Sequence, residues 1–156
     1  MSDPTERVQA ALDALGLEIR VQRFDRSTGT AEQAAEAVGC ELGAIVKSLC
    51  FVVNGRPTLV LAAGDRRVDA KALRRIYDLS KRKVKIAHPE DVLAWTGYAV
   101  GGVPPVGHPR PLPTLIDRSL ARFETVYAAA GSANALFPIP YATLVRATGG
   151  EVHDLT

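Results

Sequence analysis

The sequence predicts a mixed α/β domain, in which helices pack on a sheet whose strands run in both directions. Its 156 residues are 47% apolar and 23% charged, which is typical of one globular domain with its own core. Helical and strand patterns follow each other irregularly, and Asn54-Gly55 between two apolar runs is a type I′ hairpin signal. We therefore expect a single domain over residues 1–156, and not a doubly wound parallel sheet.

The first third of the chain predicts two helices and a short strand. Apolar residues recur at helical spacing over residues 5–15, and residues 18–24 alternate like a strand. Thr30 can cap a second helix, with Gln33 completing a capping box, and Gly39 ends that helix.

The middle of the chain predicts the hairpin and three further elements. Residues 45–53 read as a strong apolar strand, and residues 57–63 return as its partner. A helix is then expected over residues 69–77, a short strand over 84–87, and a short helix over 89–94 that begins at a proline.

The last third of the chain begins with a loop rich in glycine and proline, residues 101–113. Strands are expected over residues 115–117 and 124–130, the second followed by a turn at 131–134. A final helix is expected over residues 140–148, again with a proline near its start.

Composition excludes membrane and secreted proteins. No apolar run approaches the ~20 residues that a membrane helix needs, and the polar N-terminus has no signal-peptide pattern. We therefore expect a cytoplasmic protein without a membrane partner. Cys40 and Cys50 do not form a C-x-x-C pair and are expected to be reduced, buried residues.

Motifs for metal or cofactor chemistry are also missing from the sequence. It has no Walker A loop and no G-x-G-x-x-G, G-x-S-x-G or H-E-x-x-H motif. His88, His108 and His153 lack metal-ligand spacing and are expected at the surface. We therefore expect neither a metal nor a cofactor.

Positive charge is concentrated in residues 65–85. This segment has nine basic and three acidic residues, a net charge of +6 in a chain whose total is +2. Such a face fits an anionic partner, of which nucleic acid is the commonest large one. A solvated helix face followed by a lysine-rich turn is the alternative. The candidate phosphate contacts are Arg66, Arg67, Lys71, Lys81, Arg82 and Lys83.

One lysine stands within an apolar strand. Ile45, Lys47 and Leu49 share one face of the predicted strand, and its other face is largely apolar too. A buried ammonium is costly unless it reaches water or an anion. Lys47 is therefore either a cation aimed into a pocket or a lysine that passes the strand end to reach water.

Three further segments could line such a pocket. Gly101-Gly102-Val103-Pro104-Pro105-Val106-Gly107 joins glycines that allow close approach to a ligand with prolines that stiffen the loop, so its amides could meet a carbonyl oxygen or a phosphate. Asp117 ends an apolar strand and could pair with a lysine or cap the next turn. Gly131-Ser132-Ala133-Asn134 follows another strand and could line a pocket mouth.

In this order, the segments resemble the YbaK-type family, which includes the editing domain inserted in bacterial prolyl-tRNA synthetases. The resemblance covers nearly the whole chain, and a strand lysine combined with a Gly-Gly-x-x-Pro-x-Gly loop is specific. The matching stretches begin at Thr30, Ile45, Gly64, Thr96 and Leu112.

The resemblance implies a barrel-like mixed sheet surrounded by helices. It also implies deacylation of tRNA that carries the wrong amino acid, such as Cys or Ala on tRNA(Pro), with the tRNA acceptor end as partner and a prolyl-tRNA synthetase as a further one. Lys47 would be the family lysine, and Gly101 to Pro105 the family G-x-x-x-P loop. The residues expected to bind substrate are Phe24, Thr30, Val103, Pro105, Gly107, Gly131 and Ser132.

Two departures from the family bear on which amino acid is removed. Phe24 stands near the position where the cysteine-specific branch has a tyrosine. After Gly131 the family commonly has a basic residue, where this chain has Ser132.

The expected mechanism depends on positioning, because the sequence offers no catalytic triad. Lys47 would anchor a phosphate or ribose oxygen, and the amides of Gly101 and Gly102 would approach the ester carbonyl. Asp117 would hold Lys47 or orient water, and the nucleophile would be water or a substrate group. The alternatives are a non-catalytic protein that binds tRNA ends or a nucleotide, and a hydrolase of another small ester or amide.

Overall fold

A computed structural model describes residues 3–156 and confirms the mixed α/β class. The helices of this part of the chain are α1 Pro4–Ala14, α2 Ala31–Val38, α3 Ala70–Tyr77, α4 Pro89–Thr96 and α5 Tyr141–Thr148. Its strands are β1 Gln22–Arg23, β2 Ile45–Val53, β3 Arg56–Ala63, β4 Val84–Ile86, β5 Thr114–Asp117, β6 Thr125–Ala129, β7 Ala135–Pro140 and β8 Glu151–His153. They form one sheet in the order β1-β7-β6-β2-β3-β5-β8, and β4 pairs with β2 outside that path.

The structure confirms the predicted hairpin turn and the predicted cap of α2. Asn54 and Gly55 have φ values of 50° and 81°, and a type I′ turn needs positive φ at both central positions. Thr30 and Gln33 form the reciprocal capping box, and Gly39 ends α2 in the left-handed conformation.

Two strands were not predicted, and one was predicted too long. β7 contains Pro138 and Pro140, which ordinarily argue against a strand. Both lie beyond Leu136, where β1 stops pairing with β7, so neither has to donate a hydrogen bond on that side. β8 has three residues, too few for a periodic signal, and the expected strand 18–24 is reduced to the two residues of β1.

The edge of β2 opposite β3 is shared by two short strands. β6 pairs in parallel with β2 up to Val46, and β4 pairs antiparallel with it from Phe51 onward. Because the Gly64 N–H donates to the carbonyl of Ile45, the odd-numbered residues of β2 bond to β3 and the even-numbered ones face this shared edge. The backbone of Ser48 therefore faces a gap in the sheet.

The two faces of β2 have different surroundings. Val46 and Cys50 join the main core, which β3, β5, β6 and β7 also build. On the other face Ile45 packs under α2, and Phe51 packs under α3. Lys47 therefore lies on the outer face between these two helices, whereas the side chain of Ser48 points toward the main core.

Among residues 3–156, every helix is too short or too polar to cross a lipid bilayer.

Candidate active site

A cavity of about 240 Å³ opens at the gap in the sheet. Three segments form most of its wall: residues 28–34 at the start of α2, residues 45–49 of β2, and the loop at Val100–Val103. Among the described residues that line the cavity, Lys47 carries the only charge. The cavity wall is thus largely apolar and carries a single cation.

Four of the residues expected in the site lie together in this cavity. They are Lys47, Gly101, Thr30 and Val103. The hydroxyl of Thr30 accepts a hydrogen bond from the Gln33 N–H, so this side chain caps α2 while its backbone borders the cavity.

Lys47 is half-buried and is held by backbone. Its Nζ donates to the carbonyl oxygen of Arg66, in the turn that follows β3. The same turn is fixed by Asp65, which accepts two hydrogen bonds from the Arg122 guanidinium at 3.0 and 2.7 Å. That guanidinium lowers the pKa of the Asp65 carboxyl. Because an ammonium has three donors, Lys47 can still bind an anion.

Asp117, which the sequence analysis expected to hold Lys47 or to orient water, is bonded to other parts of the chain. The Asp117 carboxylate is 1% exposed and does not line the cavity. It accepts from the Leu155 N–H at 2.7 Å, from the N–H and hydroxyl of Ser119, and from the Thr156 hydroxyl at 3.2 Å. Asp117 therefore anchors the C-terminal segment to the end of β5.

The two glycines expected as amide donors differ from each other. The Gly102 N–H donates to the Ala99 carbonyl at 3.0 Å, so it is not free to meet an ester oxygen. The Gly101 N–H has no hydrogen-bond partner among residues 3–156, and Gly101 lines the cavity. The predicted pair of donors is therefore reduced to one.

Gly102 is needed for packing. A Cβ at this position would lie 2.8 Å from both the Cα and the N of Ser132, closer than such atoms approach. The Gly102 carbonyl also accepts from the Gly131 N–H at 2.9 Å. The loop is buried from Gly102 to Val106.

The remaining predicted substrate contacts lie outside this cavity. Pro105 and Gly107 line a separate groove, and Phe24 packs beside α2 with its N–H donating to Asn134. Gly131 is buried against Pro4, and the Ser132 hydroxyl bonds to Asn134 at 2.7 Å. These residues therefore shape the surroundings of the cavity and do not form its wall.

The far end of the loop is fixed by two aromatic side chains. The Tyr98 hydroxyl donates to the Gly107 carbonyl at 2.8 Å, and His108 Nε2 lies 2.7 Å from the Pro104 carbonyl. Burial lowers the pKa of His108, which favours the neutral ring. Because Nε2 faces a carbonyl oxygen, the neutral ring carries its proton there. His108 and His153 are half-buried, whereas His88 is exposed as expected.

The six basic candidates are all exposed, but they occupy two places. Arg66 and Arg67 lie in the turn that holds Lys47, with Lys71 in the first turn of α3. Lys81–Lys83 form a short 3-10 helix before β4, and the carbonyl of Lys83 accepts from Asn54 at the hairpin. Because Val84 pairs with Val53, this second group lies about 20 Å along β2 from Lys47, at ~3.3 Å per residue.

Two polar side chains of the cavity were missed by the sequence analysis. Thr28 and Ser48 both line the cavity, and each has a buried hydroxyl without a hydrogen-bond partner in the described part of the chain. Ser48 could have been found, since it carries the only hydroxyl on the apolar inner face of β2. Thr28 precedes the helix cap and gave no signal of its own.

Comparisons with known proteins agree with this architecture. Residues 25–147 match the family model of the aminoacyl-tRNA editing domain. YwhH of Bacillus subtilis (strain 168) is 41% identical over 115 residues, which cover 73% of this chain and 71% of YwhH. EbsC of Enterococcus faecalis (strain ATCC 700802 / V583), a candidate Cys-tRNA(Pro)/Cys-tRNA(Cys) deacylase, is 28% identical over 128 residues, or 81% of this chain and 77% of EbsC.

A crystal structure of a candidate trans-editing enzyme for prolyl-tRNA synthetase has the same fold. The two chains are 41% identical, and the match covers 100% of this chain and 98% of the other. They superpose with a TM-score of 0.93. The chain therefore belongs to the aminoacyl-tRNA editing domain family. Its class is that of the aminoacyl-tRNA deacylases, hydrolases that act on aminoacyl-tRNA, as the sequence predicted.

We expect Asp117→Ala to destabilise the protein without a specific effect on catalysis. Removal of the carboxylate leaves the buried Leu155 N–H unpaired, and hydrogen bonds to a charged group are worth about 1.5–3 kcal/mol each. The measurement is urea unfolding, together with the deacylation rate at a temperature where the variant is folded. A full-stability variant with a greatly reduced rate would return Asp117 to the catalytic site.

We expect Gly102→Ala to lower both the melting temperature and the activity, because the loop and the Gly131-Ser132 turn must move apart. Overpacking of this kind costs about 1–3 kcal/mol. Ala99→Ser, at an exposed neighbouring position, is the control and should melt like wild type. An unchanged melting temperature for Gly102→Ala would show that the loop adjusts freely.

Proposed function

We propose that this chain is a trans-editing enzyme that hydrolyses the ester between a small amino acid, such as Cys or Ala, and the terminal adenosine of tRNA(Pro). Its partners would be the acceptor end of the mischarged tRNA and, in the cytoplasm, a prolyl-tRNA synthetase that supplies it. The proposal is supported by the small enclosed cavity with one cation, together with membership of the editing family.

The size and polarity of the cavity support the choice of a small aminoacyl group. Ala31, Ala34 and Ala129 line it beside the aliphatic side chains of Ile45 and Leu136. A cavity of about 240 Å³ is below the usual range of drug-sized sites, about 300–1,000 Å³. Larger aminoacyl groups would be rejected by size.

The residues in place support a mechanism of positioning. Lys47 can contact a phosphate or ribose oxygen of the 3′ end with the donors that Arg66 leaves free. The free N–H of Gly101 can donate to the ester carbonyl as negative charge develops there, an interaction worth about 10²–10³ in rate elsewhere. Water or a group of the substrate itself then attacks the carbonyl carbon. The ester C–O bond breaks, and the ribose oxygen leaves with a proton.

The two basic groups suggest how tRNA would lie on the surface. Arg66 and Arg67 stand next to the cavity and would meet phosphates near the 3′ end. A separation of about 20 Å corresponds to roughly six nucleotide steps at ~3.4 Å each. Lys81–Lys83 would then contact phosphates farther up the acceptor end.

The direct test is single-turnover deacylation against a panel of labelled mischarged tRNAs. We expect Lys47→Met to reduce the rate by about 100-fold or more, because the aliphatic stem remains while the charge is lost. Its melting temperature should hold or rise, since a half-buried ammonium has been removed. Lys47→Arg should not restore full activity, because a planar guanidinium does not replace a compact ammonium.

Arg20→Met, which removes an exposed cation outside the basic segment, is the matched control for Lys47→Met. A well-folded Lys47→Met protein with near wild-type turnover would contradict the mechanism. Binding of uncharged tRNA ends without multiple-turnover deacylation of any panel member would favour the non-catalytic alternative. Activity that uncharged tRNA does not inhibit would favour a hydrolase of another ester.

We expect the combined change of Lys81, Arg82 and Lys83 to Gln to weaken tRNA binding and to flatten its salt dependence. Each phosphate contact contributes about 0.7–0.9 to the slope of log K against log salt, so the slope should fall by about 2. The control changes Arg20, Arg110 and Arg146, which are exposed elsewhere. Equal slopes for the two triple variants would show that the basic segment is a solvated face.

A further inference from the structure

The inner end of the cavity carries two hydroxyl groups that the fold leaves unused. Thr28 is 4% exposed, and its Oγ1 has no hydrogen-bond partner among the described residues. Ser48 Oγ is buried in the same cavity and is likewise unpartnered. A buried hydroxyl without a partner is costly, so two that line one small cavity are suited to bind a polar group of a substrate.

The register of β2 places the Ser48 hydroxyl, and burial places that of Thr28, on the side of the cavity away from solvent. Lys47 lies on the outer face of the strand, between α2 and α3, whereas Ser48 points toward the main core. A tRNA must approach from the side of Lys47 and of the exposed Val100. The ribose and the ester then lie near Lys47 and Gly101, and the amino-acid side chain extends inward to Thr28 and Ser48.

From this arrangement we propose that the cavity recognises a hydroxyl on the amino-acid side chain, so that the preferred substrate is tRNA charged with a small β-hydroxy amino acid, serine above all. A hydroxyl donates one hydrogen bond and accepts two, so a seryl side chain can satisfy both Thr28 and Ser48. Alanine fills the same volume but leaves both protein hydroxyls unpaired. This inference rests on the proposed deacylase function but differs from it in the amino acid, which is a small one with a side-chain hydroxyl in place of Cys or Ala.

The selectivity that each kind of contact can give favours recognition of a substrate hydroxyl over recognition by size alone. An apolar cavity separates side chains that differ by a single small group by only about 10–200-fold. A site built to hydrogen-bond a substrate hydroxyl can reject the analogue that lacks it far more strongly, because its own polar groups are then left unpaired. Nothing else in the cavity wall among residues 3–156 requires Thr28 or Ser48 to be polar.

The two hydroxyls could instead bind a group that every aminoacyl-tRNA has, the α-ammonium or a ribose hydroxyl. The two cases predict that removal of the hydroxyls reduces the deacylation rates of different substrates. Recognition of the side chain affects seryl-tRNA alone, whereas recognition of a shared group slows all substrates equally. The substrate dependence of a mutation therefore separates them.

The experiment measures single-turnover deacylation of Ser-tRNA and Ala-tRNA that share one tRNA body. The wild-type protein should hydrolyse the seryl ester at least about tenfold faster, in line with hydroxyl recognition. Thr28→Val is isosteric and Ser48→Ala is nearly so. In the double variant the preference should fall to within about twofold, through a slower seryl rate at an unchanged or faster alanyl rate. Thr28→Ser keeps the hydroxyl and should keep the preference.

Wild-type rates that are equal for both esters, or higher for alanine, would overturn the inference while leaving the deacylase function in place. Equal losses on both substrates in the double variant would also overturn it, in favour of a shared group. Failure to hydrolyse any member of the panel would overturn the proposed function and this inference together. The wild-type comparison needs no substitution, so the test stands even where a variant fails to fold.

Discussion

The site depends on how one edge of β2 is divided between two partner strands. β2 pairs fully with β3, but its other edge is taken by β6 as far as Val46 and by β4 only from Phe51. In the described part of the chain, no strand lies beside the interval between these residues. An uncovered interval in a sheet must be filled by water, a loop or a ligand. The loop at Val100–Val103 and the start of α2 cover it only in part. A cavity at the centre of the sheet is the result.

The charge of Lys47 is useful because no carboxylate among residues 3–156 neutralises it. A lysine paired with an acid would have to give up that partner before it could bind an anion. Here the Nζ donates to the Arg66 carbonyl, which orients the ammonium and leaves its formal charge uncompensated. Asp65, the residue before Arg66, is engaged by Arg122 and fixes the turn that supplies this carbonyl. The ion pair thus supports the cation from outside the cavity.

Several polar or flexible residues that look functional in the sequence serve the fold. Asp117 satisfies backbone and hydroxyl donors of the C-terminal segment, and Gly102 allows the loop to pass against Ser132. Conversely, Thr28 and Ser48 look ordinary in the sequence, but their buried hydroxyls in the cavity have no partner among residues 3–156. The residue type alone shows only that a polar atom or a glycine is present. The contacts of that residue show whether it serves the fold or the site.

The sequence by itself determined the local elements and the family. The hairpin, the capping box of α2, β2 and the position of Lys47 follow from turn chemistry, capping and strand alternation, all of which act between residues close in the chain. The tertiary structure decided the rest. That β6 and β4 share one edge, that Gly101 lies close to Gly29 in the cavity wall, and that Asp117 binds the C-terminal segment depend on pairings between distant segments. Those pairings are fixed by packing of the whole core, which no local pattern records.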